Sequence, residues 1–396
     1  MRVLALSTLY PNAVNPRFGT FVARSLEALA KRDDCEIVVI NPIGIAPLSL
    51  GRYRAMAQAA VDGCENGIEI HRPTFRLIPR ISGRFNPAAI ARAVLPLARR
   101  LHAEQPFDLL DAQFFYPDGP AVARIASALD LPFSIKARGA DIHHWGSLPY
   151  AARQMRSAAD NAAGLLAVCK ALARDMVDIG LPKSKIAIHY TGLDRDRFRP
   201  LQNPTLRPRL AKELGLPLRH EESLLVTVGA LIPRKGQELV IRALRELPEA
   251  RLLLVGKGED EERLQALALQ MGPDIEQRVH FLGLLDHDLL PLVLSAANAM
   301  VLPSASEGLA NAWVEALACG TPIVITDAGG AREVVATHAA GRIVEREPLA
   351  IAHGIASLLA ALPKREDTMA AAAQFDWTVH AARLAKYYAG LVADAR

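Results

Sequence analysis

A strand–helix–strand pattern in the last third of the chain limits what the protein can fold into. The apolar run Ala299–Leu302 predicts a buried strand. A helix is expected to start near Asn311 and to end at Gly320, because glycine readily adopts the left-handed conformation that closes a helix. A second apolar run, Pro322–Ile325, predicts another buried strand, and the pair Gly329-Gly330 predicts a turn after it. Strands that alternate with helices in this way are typical of a parallel α/β sheet.

The same alternation occurs in two rounds along the chain, which predicts two doubly wound α/β halves. The first round opens with the apolar run Val3–Ser7 and the second with Leu224–Gly229. Residues 199–222 are rich in proline, arginine and leucine without clear periodicity, as expected of a linker with a short helix. The predicted domains are residues 1–198 and 199–375, followed by an amphipathic terminal helix at 376–396.

Charge is unevenly distributed between the two halves. Residues 1–200 carry 26 Lys and Arg against 18 Asp and Glu, and the remainder carries 20 against 24. A basic first half suggests an anionic partner such as a lipid headgroup or a pyrophosphate. The sequence has no nucleic-acid-binding motif and no basic patch interleaved with aromatic residues, so a nucleic acid is not expected as a partner.

The sequence favours a cytoplasmic protein, with a peripheral position on the inner face of the membrane left open. It has no apolar run of about 18 residues, and Met1-Arg2 leads directly into an apolar strand without the features of a signal peptide. Four scattered cysteines form no C-x-x-C motif, as is usual for free thiols in a reducing compartment. We expect neither a metal ion nor a cofactor.

Two carboxylates, Glu307 and Glu315, stand eight residues apart, the first in a loop and the second expected in the first turn of the helix. Ligands collect at the carboxyl ends of parallel strands, and a helix N-terminus favours an anion there. Gly308 lets the backbone approach a ligand closely, and a carboxylate such as Glu315 can accept both hydrogen bonds of a ribose diol. A glutamate in a first turn is also commonly mere compensation of the helix dipole. The whole arrangement, however, predicts a nucleotide-sugar site.

This stretch resembles the E-x7-E signature of the retaining family-4 glycosyltransferases, whose GT-B fold has two Rossmann-like domains facing across a cleft. The matching residues are Glu307, Gly308, Asn311, Glu315, Ala316, Ala318, Gly320, Pro322, Gly329, Gly330 and Glu333. The resemblance implies that Glu315 holds the donor ribose and that Glu307 contacts the transferred sugar. It also implies backbone contacts to the sugar and the diphosphate from Gly308, Leu309, Ala310 and Asn311. In relatives a terminal helix crosses back onto the first domain, so the helix at 376–396 is expected to belong to that domain.

Two further segments of the second half resemble parts of the donor site in this family. Gly229–Gly236 resembles the motif G-R-x-x-x-x-K-G, which implies that Lys235, with Arg234, lies at the donor diphosphate. Ala230 replaces the motif's arginine, and Arg234 can partly compensate for that missing cation. The strand end at Leu282 and Gly283 resembles the family's base-binding edge. In the first half, Gly19 follows the first strand and is a candidate diphosphate contact or a plain tight turn.

The segment Pro132–Ile142 resembles the family's strand and H-G-x-D-I loop at the mouth of the interdomain cleft. Arg138 stands where many relatives have histidine. Arginine stays protonated and cannot serve as a general base, but it can clamp a phosphate of the donor or the acceptor. The departing diphosphate itself would then take the acceptor's proton, as is proposed for the family. Asp141 is a candidate contact to a sugar hydroxyl.

Arginines recur at every fourth position from 72 to 84 among apolar residues. Prolines within the segment disfavour a long helix, so a mobile loop with at most a short helix is expected. A basic and apolar loop can rest on an anionic membrane, and Arg76 and Arg80 are assigned to the acceptor side on that ground. A solvated loop whose apolar residues tuck against the domain is the equal alternative.

Together these features predict a retaining hexosyltransferase. The donor is a nucleotide-diphospho-sugar, and the acceptor is a lipid-linked or polysaccharide glycan of the bacterial cell surface bound by the first domain. The alternatives are an inactive donor-binding subunit of a glycan-assembly complex, or a sugar-nucleotide epimerase with the same fold.

Overall fold

The computed structural model describes residues 1–47, 52–79, 81–201, 205–219, 221–286 and 288–395. The chain divides into two compact units, Met1–Gly192 with Trp377–Arg396, and Leu193–Asp376. They are called the first and the second unit below. Each contains a largely parallel sheet with helices, so the predicted class of two Rossmann-like α/β domains is confirmed. The first unit ends its first part at Gly192, whereas the predicted boundary was residue 198, and it includes the terminal segment Trp377–Arg396.

The first unit contains ten strands and six helices among the described residues before residue 192. The strands are β1 (Arg2–Leu6), β2 (Glu36–Ile40), β3 (Ile43–Ile45), β4 (Gly63–Glu65), β5 (Ile68–His71), β6 (Thr74–Arg76), β7 (Leu109–Ala112), β8 (Phe133–Ala137), β9 (Gly164–Ala167) and β10 (Ile186–Ile188). The helices are α1 (Thr20–Ala30), α2 (Arg52–Met56), α3 (Asn86–Glu104), α4 (Asp118–Leu129), α5 (Pro149–Asn161) and α6 (Lys170–Asp178).

Eight of these strands form one sheet in the order β10-β9-β8-β7-β1-β2-β5-β4. Neighbouring strands are parallel except β4 and β5, which pair antiparallel at one edge. Strands β3 and β6 pair separately in parallel. The chain first extends the sheet from β1 to β2 and later returns to β1's other side with β7. The gap between the carboxyl ends of β1 and β7 is therefore a topological switch point, where ligands collect in such sheets.

The second unit holds a six-stranded parallel sheet in the order β13-β12-β11-β14-β15-β16. Its strands are β11 (Ser223–Val228), β12 (Ala250–Val255), β13 (Val279–Gly283), β14 (Ala299–Leu302), β15 (Ile323–Thr326) and β16 (Gly341–Val344). Its helices are α7 (Leu206–Leu214), α8 (Gln237–Ala243), α9 (Glu261–Gln270), α10 (Pro273–Arg278), α11 (Leu290–Ala296), α12 (Asn311–Ala318), α13 (Ala331–Val334), α14 (Pro348–Ala360) and α15 (Arg365–Ala372). The order reverses between β11 and β14, so their carboxyl ends form the second unit's switch point.

The final helix, α16 (Trp377–Asp394), belongs to the first unit. Its buried residues, His380, Ala381, Leu384, Ala385 and Tyr388, recur at helical spacing and so lie on one face. Leu384, Ala385 and Tyr388 pack into the core that β1, β2, β5, β7 and β9 share with α1. Burial of this apolar stripe is the main reason that the helix stays on the sheet.

The arginine-rich segment of the first unit contains strand β6, which was not expected, and a short 3₁₀ turn, Ser82–Phe85. Arg76 is exposed at the end of β6, whereas Arg80 lies outside the described residues. Among the helices of the described residues, none combines the length and the apolar character that a membrane crossing requires.

Candidate functional site

The switch point of the second unit brings together a lysine, an arginine and a glutamate. Lys235 ends a 3₁₀ turn after β11, and Glu307 lies in the loop after β14. Lys235 Nζ donates to Glu307 Oε1, and Arg234 Nη1 lies 3.4 Å from Glu307 Oε2. The side chains of Glu307 and Lys235 are 9% and 13% exposed, while that of Arg234 is 41% exposed. The partly exposed guanidinium of Arg234 therefore lies beside the nearly buried ion pair of Lys235 and Glu307, at the switch point where such sheets bind ligands.

Main-chain contacts fix the two loops to each other. Ala305 N donates to Arg234 O at 2.8 Å, and Arg234 Nη1 donates to Ser306 O. Arg346, which follows β16, bridges the same loops by donating to Pro303 O and Pro233 O at 3.0 Å each. The sequence analysis missed Arg346. It is one arginine between two glutamates in an exposed turn, and only the folded chain brings it to this place.

Two glycines allow the close approach of these loops. Gly236 has φ +75°, and a Cβ there would lie 2.4 Å from Pro303 O. Gly329 has φ +53°, and its Cβ would lie 2.3 Å from Glu307 O. Gly330 N donates to Gly308 O at 2.7 Å. The paired-glycine turn thus packs directly against the backbone of Glu307 and Gly308. A side chain at position 329 would clash with that backbone and prevent the contact.

Helix α12 begins beside this cluster, at the predicted position. Asn311 is its first residue, and Gly320 follows the helix with φ +75°. The three residues that directly precede the helix, Gly308, Leu309 and Ala310, are buried. Trp313 N donates to Ala310 O at 3.1 Å, as in an ordinary first turn. The start of α12 can offer main-chain N–H groups to an anion, as the sequence predicted, while the side chains of Leu309 and Ala310 serve the core.

Glu315 is the fifth residue of α12, so its expected place in the first turn was wrong. The first turn contains no acidic residue. Since the effect of the helix dipole falls off within one turn, dipole compensation is a weak explanation for this glutamate. Glu315 and Asn311 are both partly buried and lie four residues apart, on one face of the helix.

The predicted base-binding edge lies at the end of β13, which β12 separates from β11. Gly283 has φ +62°, and its carbonyl accepts from Gly256 N at 2.8 Å. Leu282 is partly buried beside it. The exposed Lys257, which the sequence analysis did not assign, has its Cε 3.3 Å from the place of a Gly283 Cβ. Contacts of this edge with a base stay a prediction.

In the first unit, Gly19 precedes α1 with φ +73°, and a Cβ there would lie 2.4 Å from Leu9 O. Close packing against the loop after β1 therefore suffices to explain this glycine. The start of α1 nonetheless stands at the carboxyl end of β1, beside the switch point of the first sheet. A contact with a diphosphate at Gly19 stays a prediction.

Arg138 follows β8 and is held on two of its nitrogens. Its Nε donates to Gln113 O at 3.0 Å and its Nη2 to Gln113 Oε1 at 2.6 Å. The guanidinium carbon lies 5.0 Å from the centre of the Phe21 ring. Burial lowers the pKa of Arg138 to about 10, against the opposing effect of Asp141 and Asp111. The group therefore remains a cation at neutral pH and cannot accept a proton from a substrate.

Asp141 is fully buried and organises the loop that carries Arg138. Its carboxylate accepts from the main-chain N–H groups of Phe115, Arg138, Gly139 and Ile142, at 2.8 to 3.1 Å. Burial raises the pKa of Asp141, and these hydrogen bonds oppose that shift. The structure gives this carboxylate a positioning role, and the predicted contact with a sugar hydroxyl is not tested by it.

A second buried cluster lies on the sheet beneath α16. Lys136 Nζ is 2.5 Å from His189 Nδ1, and His189 Nε2 is 3.1 Å from His380 O. Burial moves the pKa of Lys136 and that of His189 well below their ordinary values, and the positive charge of Arg138 adds to the effect on Lys136. These contacts fasten α16 to the sheet through largely uncharged groups.

The apolar residues around the exposed Arg76 are divided between core and surface, since Phe75 is buried whereas three others are exposed. Ile81 is 70% exposed and Phe85 is 59% exposed, and Ile78 is also exposed. Arg84 stands 5.0 Å from the centre of the Phe85 ring. Within the described part of the chain, no group of three or more His, Cys, Asp or Glu residues is placed to hold a metal ion.

Comparisons with known proteins agree with this architecture. The model of the family "Glycosyl transferases group 1" matches residues 212–375, and that of the "Glycosyl transferase 4-like domain" matches residues 18–192. A putative teichuronic acid biosynthesis glycosyltransferase of Bacillus subtilis is 28% identical over 364 residues, which are 90% of this chain and 88% of that one. A GDP-mannose-dependent α-(1-6)-phosphatidylinositol monomannoside mannosyltransferase of Mycolicibacterium smegmatis is 30% identical over 264 residues, 62% of this chain and 67% of that one.

Solved structures of similar fold cover almost the whole chain. HepE of Anabaena, in complex with UDP, superposes with a TM-score of 0.74 at 21% identity, covering 98% of this chain and 100% of that one. Sucrose-phosphate synthase of Thermosynechococcus elongatus superposes with a TM-score of 0.78 at 20% identity and covers both chains fully. At these identities the likeness concerns the fold.

Proposed function

The chain belongs to the group 1 family of glycosyltransferases and has the GT-B fold, and from this premise we propose that it is a retaining hexosyltransferase. The donor is a nucleotide-diphospho-sugar. The observation that carries the proposal is the cluster of Lys235, Arg234 and Glu307 at the switch point of the second sheet, beside the start of α12.

Stabilisation of the leaving group is the main chemical task of this cluster. As the glycosidic bond breaks, its electron pair stays with the departing nucleoside diphosphate, which gains negative charge. Lys235, Arg234 and the N–H groups at the start of α12 are suited to bind that charge, and such electrostatic stabilisation is usually the largest contribution to catalysis. Glu307, which already holds both cations, contacts the transferred sugar, and Glu315 holds the ribose.

Retention enters the proposal through the resemblance of the Glu307–Glu315 stretch to the retaining enzymes. No enzymic base is assigned, because Arg138 stays protonated and Glu307 is engaged by two cations. In the proposed reaction the acceptor oxygen bonds to the anomeric carbon on the face from which the diphosphate departs. The acceptor's proton passes to an oxygen of that diphosphate, so the nucleotide serves as its own base, and no cofactor takes part.

We assign the acceptor to the basic first unit. Names of relatives refer to teichuronic acid biosynthesis and to a phosphatidylinositol mannoside, which supports a lipid-linked or polysaccharide acceptor in bacterial cell-surface glycan synthesis. The exposed Ile78, Ile81 and Phe85, with Arg76 and Arg84, are suited to an anionic membrane surface. On this hypothesis the enzyme works at the cytoplasmic face of the membrane.

Turnover of labelled donors tests the proposal. UDP-glucose and GDP-mannose are offered with lipid-linked acceptors, and the release of nucleoside diphosphate and the anomeric configuration of the product are measured. We expect acceptor-dependent release and a retained configuration. Ala230 in place of the motif's arginine favours one alternative, an inactive donor-binding subunit, which would be stabilised by the donor against heat but would release no diphosphate. An epimerase would instead convert the donor without an acceptor.

A further inference from the structure

A buried chain of hydrogen bonds leads from strand β7 to Arg138. Asp111 lies in β7 and Gln113 follows its end, and both are fully buried. Gln113 Nε2 donates to Asp111 Oδ2, while Gln113 Oε1 accepts from Arg138 Nη2 at 2.6 Å. The side chain of Gln113 therefore bridges a carboxylate and a guanidinium, and neither Gln113 nor Asp111 has a part in the function proposed above.

The guanidinium decides which way the bridging amide faces. A guanidinium can only donate hydrogen bonds, so Gln113 must turn its oxygen to Arg138 and its NH₂ group to Asp111, which accepts through Oδ2. Burial raises the pKa of Asp111, and its hydrogen bonds with Ser134 and Gln113 oppose that shift. Asp111 is fixed in turn, since Ser134 Oγ of the neighbouring strand β8 donates to its Oδ1. Asp111 of β7 and Ser134 of β8 thus hold the side-chain amide of Gln113 with its oxygen toward Arg138.

The same contacts leave one nitrogen of Arg138 without a partner. Nε and Nη2 bond to Gln113, and the guanidinium lies against the Phe21 ring. Nη1 is buried and, among the residues that the structure describes, has no hydrogen-bond partner. A buried charged donor without an acceptor is costly, and such groups are usually kept for a ligand or a catalytic role. Rotation of the guanidinium to relieve Nη1 would break both bonds to Gln113.

We propose that Gln113, oriented by Asp111, is a positioning residue that holds Arg138 with Nη1 ready to donate to a phosphate oxygen of the substrate. The inference rests on the proposed function and adds a substrate contact and the residues that prepare it. A phosphate oxygen is the acceptor that a fixed guanidinium binds most strongly. It can come from the donor's diphosphate or from a phosphate of the acceptor.

The decisive experiment is a double-mutant cycle. Gln113→Met keeps the approximate size of the side chain but removes its hydrogen bonds to Asp111 and to Arg138 Nη2. The main-chain oxygen of residue 113 still accepts from Arg138 Nε. The substitution should lower kcat/KM about tenfold when Arg138 is present, and less than about twofold in an Arg138→Ala background. His71→Ala is the control, because it removes the contact of a buried polar side chain with Asp62 at the end of β5 in the same sheet and does not touch the bridge of Gln113. It should leave kcat/KM within about twofold of the wild-type value.

The KM values identify the source of the phosphate. A rise in KM for the nucleotide sugar assigns Nη1 to the donor, and a rise for the acceptor assigns it to an acceptor phosphate. Equal losses in both backgrounds, or an equal loss in His71→Ala, would overturn the inference, because the effect would then be a general loosening of the sheet. Gln113→Leu, which also removes both side-chain hydrogen bonds, replaces Gln113→Met with the same expected losses if that variant fails to melt cooperatively.

A binding measurement separates this inference from the proposed function. Inorganic pyrophosphate is titrated calorimetrically into the wild-type protein and the same variants. Gln113→Met and Arg138→Ala should each weaken its binding severalfold, and His71→Ala should not. If this pattern appears but no sugar is transferred, the proposed function fails and the inference stands. If sugar is transferred but neither the binding pattern nor the kinetic coupling appears, the inference alone fails.

Discussion

Replacing Lys235 by alanine tests the role of the cation at the centre of the site. Lys235 and Arg234 together hold the nearly buried Glu307. Removing one partner of a buried pair typically costs about 3–5 kcal/mol of unfolding free energy. Because Arg234 Nη1 remains 3.4 Å from the carboxylate, we expect a loss near the lower limit, about 3 kcal/mol. Turnover should fall by about 100-fold or more, as for loss of a group that stabilises developing charge.

The two effects can be separated with a second substitution. Glu307→Gln in the Lys235→Ala background removes the nearly buried carboxylate that has lost its lysine, so it should recover much of the stability while turnover stays low. Lys364→Ala, at an exposed lysine of the second unit, is the matched control and should alter neither quantity. Urea unfolding and nucleoside diphosphate release are the measurements. A Lys235→Ala enzyme with wild-type turnover at saturating donor would refute the assignment of this lysine to the leaving group.

Three further predictions concern the rest of the chain. Glu315→Ala should raise the KM for the donor about tenfold or more with a smaller change in kcat, because ribose contacts bind the ground state and the transition state alike; an unchanged KM would exclude the ribose contact. Burial raises the pKa of Asp118 from 3.8 to about 7, so its contribution to stability is full below pH 3.8 and is lost as the pH rises through 7. Asp118→Asn should flatten that decline in urea unfolding between about pH 4 and 8, and an identical slope would contradict it. Replacing Arg76 and Arg84 by glutamine should weaken co-sedimentation with phosphatidylglycerol vesicles about tenfold or more, whereas the exposed pair Arg99-Arg100 serves as the control and should not.

Much of the fold could be predicted because parallel strands buried on both faces are continuous apolar runs in the sequence. The run Ala299–Leu302 is strand β14 with the predicted bounds, and α12 starts at Asn311 as expected. The missed strands are short, and a case such as Gly63–Glu65 is exposed along its whole length. Its residues carry no apolar pattern, since its only role is to pair with β5 at the edge of the sheet.

The second unit's site could be anticipated for a similar reason. Lys235 and Glu307 are far apart in sequence, yet each follows a strand, and β11 and β14 are neighbours at the switch point. Because ligands bind at such a point, the order of the strands is enough to predict that the two loops meet there. The contact of Arg346 with both loops could not be predicted from the sequence, because it depends on the position of the exposed turn after β16 in the folded chain.

The first unit's site shows where prediction from sequence stops. That Arg138 cannot be a base follows from its chemistry alone, but its hydrogen-bond partners depend on the register of β7 against β8, which places Asp111 opposite Ser134. A register shifted by one residue would turn Asp111 to the other face of the sheet and leave Gln113 free to flip. The sequence did contain a signal: Asp111 and Gln113 are polar residues at the end of a buried strand. Buried polar side chains at a strand end need hydrogen-bond partners. When the sequence offers no partner nearby, the partner is expected at the end of the neighbouring strand.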